Sequence, residues 1–317
     1  MAIANGSYPD MPKVNLAAGL RTQFGNFTPP GGKVVAYVHS SGPAITDDPD
    51  IAKMLRTTLN AALALCTAGK GDTVLVLPGH AENIASADQM SNLKAGTRII
   101  GLGQGASRPT FTWTTATSTF LFDVANVSLE NCILNMDPGA GTVTVAAPIT
   151  ISAAGCRIAD CKIRVSTDAN SKTTIPITTT AAAVDLELLN LDIRGATAGE
   201  VTTVVQLVGA DRLRMIGCTI AAATSAVGVG VMRFLTTAST FIQVYGCVFK
   251  NNKASSTAAV TGMAGVSGEA DCVQMNVLSG GASAWGTVAS MTFGPDVTAT
   301  NTAGHRGAAF GTASTLA

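Results

Sequence analysis

One six-residue pattern recurs along the middle of the chain at a nearly constant interval, and that interval leaves few folds open. The pattern is apolar, x, x, Cys-like, x, apolar. It reads Leu129-Glu-Asn-Cys132-Ile-Leu134, Ile158-Ala-Asp-Cys161-Lys-Ile163, Leu188-Leu-Asn-Leu191-Asp-Ile193 and Met215-Ile-Gly-Cys218-Thr-Ile220. It continues as Val244-Tyr-Gly-Cys247-Val-Phe249 and Val273-Gln-Met-Asn276-Val-Leu278. The fourth positions fall at 132, 161, 191, 218, 247 and 276, in steps of 29, 30, 27, 29 and 29. A second apolar element lies between successive copies: Ile149/Ile151, Ile175/Ile177, Val205/Leu207, Phe234/Leu235 and Val260/Met263. Ile99-Ile100-Gly-Leu102-Gly103 is a weaker copy 29 residues ahead of the first clear one, and Asp72-Thr-Val-Leu-Val-Leu77 starts the series.

A fixed period of this size marks a repeat architecture. Helical repeats need apolar-periodic segments of ten or more residues, and Gly, Thr and Asn clusters break such segments here. The Leu/Asn consensus of a leucine-rich repeat is absent. The spacing predicts an all-β, right-handed parallel β-helix, a solenoid with a period of about 29 residues and one turn of chain per rung. At ~4.8 Å per rung, seven or eight rungs make a prism roughly 35 Å long. The residue before the Cys-like position is Asn131, Asp160, Asn190, Gly217 and Gly246 in turn. These types tolerate left-handed backbone, and stacked Asn side chains can bond along the axis, so this position is a tight turn. The Cys-like residues themselves should point inward.

Composition agrees. Hydrophobic residues are 47% of the chain and charged residues only 13%, against a usual ~25% charged. The polar surface must come from Thr, Ser, Asn and Gly, which suits strands rather than helices. Twenty basic and twenty acidic residues cancel. The balance gives no general attraction to nucleic acid or an anionic membrane, and little repulsion between copies. No apolar run approaches the ~18 residues of a membrane span. Met1-Ala-Ile-Ala-Asn-Gly6 lacks the basic start and apolar run of a signal peptide, so the expectation is a soluble protein made in a cytoplasm. The seven cysteines include no CxxC pair, and reduced, buried thiols are expected.

Four segments follow. Residues 1–33, broken by Pro9, Pro12, Pro29 and Pro30, read as an extended N-terminal arm, either a free terminus or one that packs through Phe24 and Phe27 on a neighbouring subunit. Residues 34–71 hold a strand, Val34–Val38, and one helix. Asp47 or Asp48 would cap that helix, Pro49 would open it and Gly69 or Gly71 would close it. Its apolar face, Ile51, Leu55, Leu59, Ala62, Leu63 and Cys66, suits a cap over the open end of the stack. Residues 72–297 are the β-helix. Residues 298–317 read as an extended C-terminal tail, with Trp285, Met291 and Phe293 covering the last rung.

Glycoside hydrolysis needs two carboxylates ~5–10 Å apart. The acids on the repeats are Glu130, Asp137, Asp160, Asp168, Asp185, Glu187, Asp192, Glu200, Asp211, Glu269 and Asp271. In the predicted register Glu130 stacks over Ala159 and Leu189, and Asp192 beside Lys162 and Thr219, so no matched pair of acids emerges. In Pro78-Gly-His80-Ala-Glu82-Asn83, His80 and Glu82 have the types of a base and its orienter. The segment lacks a Ser or Cys nucleophile elbow and reads as a turn. Gly101-Leu-Gly103-Gln-Gly105 lacks the Lys-Ser/Thr of a phosphate loop and also reads as a turn. Arg157, Arg164, Arg194, Arg212 and Arg214 form no run, and Arg194 with Asp192 reads as a solvated face. No catalytic, cofactor-binding or metal-binding residue is assigned, and the chain is expected not to be an enzyme.

Gly71-Asp72-Thr-Val-Leu-Val-Leu-Pro78-Gly-His80-Ala-Glu82-Asn83, Ala95-Gly96-Thr-Arg98-Ile-Ile-Gly101-Leu-Gly103, Arg108-Pro-Thr-Phe111 and Leu235-Thr-Thr-Ala-Ser-Thr240 resemble β-helix structural proteins of tailed bacteriophages. The resemblance spans roughly residues 34–280. It implies a structural virion protein, either a capsid decoration (cement) protein on the head surface or a tail spike that recognises, and in some members degrades, host polysaccharide. Size favours decoration, because separate head-binding and trimerisation domains have no room here. The implied partners are the major capsid protein or other virion proteins, gripped through the terminal arms, and further copies of the chain as a homotrimer. Neither nucleic acid nor membrane is an expected partner. The implied location is the virion surface, after assembly in the host cytoplasm.

Overall fold

The computed structural model describes residues 33–42, 49–136, 143–165, 172–195, 199–209, 211–226, 229–235, 240–253 and 259–261. It also describes the backbone of Cys272–Gln274, Val277–Gly280, Thr292–Phe293 and Val297–Thr300. The terminal arm and the last residues of the tail, like Trp285 and Met291, lie outside the described residues.

The chain is a parallel β-helix. Three long parallel sheets run along it, of eleven, nine and six strands. Among the described residues six turns are complete on all three faces. In the first sheet Leu129, Ile158, Leu188, Met215 and Val244 stack in register. In the second, Leu134, Ile163, Ile193, Ile220 and Phe249 do so. In the third, Phe120, Ile149, Ile177, Val205, Met232 and Val260 do so. All of these side chains are inside, at 2% exposure or less. Each contributes on the order of 1.5–3 kcal/mol by leaving water. The six-residue pattern is thus the last part of the first-sheet strand, a corner, and the start of the second-sheet strand. The third-sheet strands match the second apolar element at Ile149/Ile151 and Val205/Leu207, whereas the inward pairs are Ile177 and Thr179 in place of Ile175/Ile177, and Met232 and Phe234 in place of Phe234/Leu235; Met263 lies outside the described residues. The weak copy aligns Ile99, not Ile100, with Leu129, an offset of 30 residues.

Two corners carry the bend. Asn131, Asp160, Asn190, Gly217 and Gly246 all have left-handed backbone, with φ between 51° and 65°. A second left-handed column, not anticipated, precedes the first-sheet strand: Gly96, Asn126, Gly155, Asp185, Arg212 and Phe241. From Asn126 on, each of its members lies five residues before a member of the first column (126/131, 155/160, 185/190, 212/217, 241/246). Each left-handed residue resets the strand alternation, so that the residue after it points inward. That gives Cys132, Cys161, Leu191, Cys218 and Cys247 at one corner and Val127, Cys156, Leu186, Leu213 and Ile242 at the other, all buried. Side chains knit the first corner. Asn131 Nδ2 donates to the carbonyls of Gly101 and Gly103 at 2.8 and 3.2 Å, and Asn190 Nδ2 donates to Asp160 Oδ1 at 3.1 Å.

The stack is longer than residues 72–297. Val34–Val38 pairs in parallel with Thr73–Val76 and so belongs to the first sheet. At the other end Val297–Thr300 pairs with Val277–Gly280, 20 residues on, so the last rung is short. The single capping helix is also corrected. Helix α1 (Pro49–Met54) and helix α2 (Leu59–Leu63) are separated by a two-residue strand, Leu55–Arg56, which pairs with Tyr37 and Val38 and forms the outer edge of the first sheet. The edge strand wins because Val34–Val38 would otherwise expose unpaired N–H and C=O groups. Thr57 and Thr58 are poor interior helix residues. Thr58 instead N-caps α2, its hydroxyl accepting from Ala61 N at 3.3 Å. Leu59, Ala62 and Leu63 enter the main core, whereas Leu55 joins a small cluster outside the tube with Leu77 and Leu102.

The corner geometry predicts substitutions of opposite sign. A Cβ on Gly217 would lie 2.6 Å from Asn190 Oδ1, at φ 65°. Gly217→Ala should therefore cost about 1–2 kcal/mol or more. Phe241→Gly should stabilise by up to about 1 kcal/mol, because Phe241 holds φ 55° with its side chain exposed, a strain that glycine relieves. Urea unfolding of the two variants measures both.

Candidate functional site

The structure brings together one pair singled out by residue type, His80 and Glu82. His80 Nε2 lies 3.1 Å from Glu82 Oε2, with both residues buried. Glu82 occupies the first position of the inward column that continues as Phe111 and Leu134, so the fold points its carboxylate at the core. There it acts as a hub. Oε2 accepts the Leu59 N–H at the first turn of α2 at 2.8 Å, and Oε1 accepts from Gln89 Nε2 at 3.3 Å. The carboxylate thus joins the capping helix, the first rung and the following turn, and its charge faces unsatisfied N–H groups at the helix start. The His80 ring is 1% exposed and tilts against Phe111 at 5.5 Å. Its Nδ1 is buried with no hydrogen-bond partner among the described residues. Burial, and then the neighbouring His80, lower the pKa of His39, against a hydrogen bond to the Pro78 backbone that raises it. A ring sealed in this way lacks the reach to a bound substrate that a general base needs. The pair fastens the cap.

Outside, five acids are engaged by bases, while Asp160 accepts from Asn190 Nδ2 and Asp211 from Thr240 N. Asp185 forms a two-pronged pair with Arg212 from the next rung. Glu187 faces Arg157 at 3.9 Å and also Arg214. Asp192 is held by Arg164 at 3.2 Å and Arg194 at 2.6 Å. Glu130 meets Arg98 at 3.5 Å, and Glu200 meets Lys253. The register that stacks Glu130 over Ala159 and Leu189, and Asp192 between Lys162 and Thr219, is observed as expected. Asp137, Asp168, Glu269 and Asp271 lie outside the described residues. The hydrogen bond to Arg212 holds the Asp185 carboxyl below the usual range. For Asp192, burial pushes upward, and Arg194 and Arg164 together outweigh it, so that its pKa is also lowered.

The glycine-rich stretch is a turn. Gly101 closes a first-sheet strand, and a Cβ there would meet Asn131 O at 2.5 Å. Gly101 thus makes room for the next rung, and Gly103 for Ser107 within the same turn. Among the described residues no group of three or more His, Cys, Asp or Glu is placed to hold a metal ion. Two aromatic side chains stand out on the surface, Phe241 at 46% and Tyr245 at 45% exposure. They flank Gln243 on one first-sheet rung, a grouping that residue types alone did not single out. No known protein family, curated protein or solved structure matches the chain.

Two outcomes follow from these pairs. Glu82→Ala should cost about 2–3 kcal/mol, since it strands a buried N–H and an imidazole. Hydrogen exchange at Leu59 should accelerate more than exchange in the central rungs. Asp185 and Asp192 bind protons more weakly folded than unfolded. The stability they contribute is therefore present above the ordinary carboxylate pKa and is lost as pH falls through the folded values. Arg212→Ala should return Asp185 to the ordinary range near ~3.9, read by carboxyl NMR titration, with little change in global stability because the pair is exposed.

Proposed function

We propose that the chain is a structural protein of a tailed-bacteriophage virion, a decoration or cement protein of the head surface and not an enzyme. One observation carries this reading: Glu130, Asp185, Glu187, Asp192 and Glu200 are each tied to Arg or Lys of the same or a nearby rung. Carboxylates locked in this way brace a wall and are poorly placed to share or move protons. The resemblance to β-helix virion proteins and the zero net charge, which sets up no repulsion between neighbouring copies, support the same reading. In this role the prism packs side by side with further copies as a trimer, its termini grip the major capsid protein, and it resides on the virion surface. It engages neither nucleic acid nor membrane. No described helix is long and apolar enough to cross a membrane.

A second reading, a tail spike that recognises host polysaccharide, draws on Phe241 and Tyr245. Two exposed rings beside an amide suit stacking against sugar faces. Gold-labelled antibody on purified particles separates the two. Label spread over the head is the expected result. Label confined to the tail, together with halos formed by the purified protein on a host lawn, would establish the tail spike instead, and particles lacking the chain would overturn both.

A further inference from the structure

Four of the inward corner residues are cysteines, and they come as two adjacent pairs. Lys162 N donates to Cys132 O at 2.9 Å, and Val248 N donates to Cys218 O at 2.8 Å. With the register Ile133↔Lys162 and Thr219↔Val248, these bonds set Cys132 directly beside Cys161, and Cys218 beside Cys247. Neighbouring strands lie ~4.8 Å apart, inside the ~4.4–6.8 Å range of Cα separations that a disulfide spans. The thiols donate to backbone carbonyls around the corner, Cys132 Sγ to Glu130 O at 3.4 Å and Cys218 Sγ to Leu188 O at 3.3 Å. Leu191 occupies the rung between the pairs. Cys161 and Cys218 are therefore two rungs apart, ~10 Å, which is too far to bridge. Cys156 sits at the other corner between Val127 and Leu186, and Cys66 lies beside Thr97. Among the described side chains, only one connectivity is open to these six cysteines, all of them buried.

We propose that these two pairs are an oxidative modification site: in the folded chain hydrogen peroxide closes them to two inter-rung disulfides, Cys132–Cys161 and Cys218–Cys247. One cysteine sulfur attacks a peroxide oxygen as its own proton is lost. The O–O bond breaks, water leaves, and a sulfenic acid remains. The neighbouring sulfur then attacks the sulfenic sulfur. The S–O bond breaks, and the departing hydroxide takes the second thiol proton as water. Two thiols lose two electrons, and one peroxide becomes two waters. The partner thiol already lies against the first, so nothing larger than peroxide has to enter the corner. The neighbouring cysteine and burial push the Cys132 and Cys218 thiols up. The reaction should be slow, and faster in alkali, because the thiolate is the nucleophile. Each bridge closes one turn of chain, which constrains the unfolded state.

The test treats the folded, full-length chain with hydrogen peroxide, blocks residual thiols, and maps cross-links after combined tryptic and chymotryptic digestion. The expected result is Cys132–Cys161 and Cys218–Cys247, each with a loss of two hydrogens, and a thermal midpoint raised by several degrees that dithiothreitol reverses. Cys161→Ala should remove the first bridge and leave the second. Should that variant fail to fold, the digest of the unmodified sequence decides alone. Four unreacted thiols at these positions, sulfinic or sulfonic acids without a bridge, or any other connectivity would overturn the proposal.

Discussion

A chain that turns through a left-handed bend still has backbone N–H and C=O groups at the bend that need partners. Here the rung above receives them. Asn131, Asp160, Asn190 and Gly217 donate to the carbonyls of Ala159, Leu189, Ile216 and Tyr245. At the other corner Gly96, Asn126, Gly155, Asp185 and Arg212 donate to Ala125, Ala154, Val184, Asp211 and Thr240. The ladder runs through both corners without a gap. All else depends on this continuity. It fixes the register, and the register stacks like positions. Apolar columns then close the core while opposite charges meet across rungs.

The same constraint explains which parts of the fold are legible from residue types. The corner at Asn131 can be read because each residue there is Asn, Asp or Gly, the types that bear a positive φ at little cost. The second corner is as regular but ends in Arg212 and Phe241, and residue preference hides it. Its signal is positional, a constant offset of five residues from the first corner. Tertiary pairing overrides local pattern at the cap. Leu55, Leu59, Ala62, Leu63 and Cys66 are all buried, as a helical face requires. Yet Leu55 reaches its buried place from a strand and on the far side of the sheet. Burial periodicity cannot separate these cases, because both bury the same residues.

Of the candidate site, the pairing of His80 with Glu82 is legible in their spacing on one strand edge, but its role is not. An acid in an inward column looks like an error in an apolar series until α2 is seen to bring Leu59 N–H to it. The carboxylate is held because three donors from separate segments converge on it. A buried carboxylate is tolerated only with such partners. The outer acids were sparse in sequence, and their neighbours could be named once the register was set. Which Arg reaches which acid depends on side-chain reach across one rung, and no spacing rule supplies that.

The ends of the stack set what it can do. A parallel sheet left open at its edge invites another strand. This chain closes its first edge with two residues, Leu55 and Arg56, and seals the tube beneath with α2 and an aromatic plug. In that plug Phe120 packs edge-on against Phe111 at 5.3 Å and Trp113 at 4.9 Å, and Trp113 Nε1 donates to Pro148 O at 3.1 Å. End-to-end growth is blocked at this cap, whereas the lateral faces keep paired charges and a few exposed apolar residues. A short edge strand of this kind leaves an incoming strand little open edge to extend. That closure follows from how the first rung is finished rather than from any single residue on the wall.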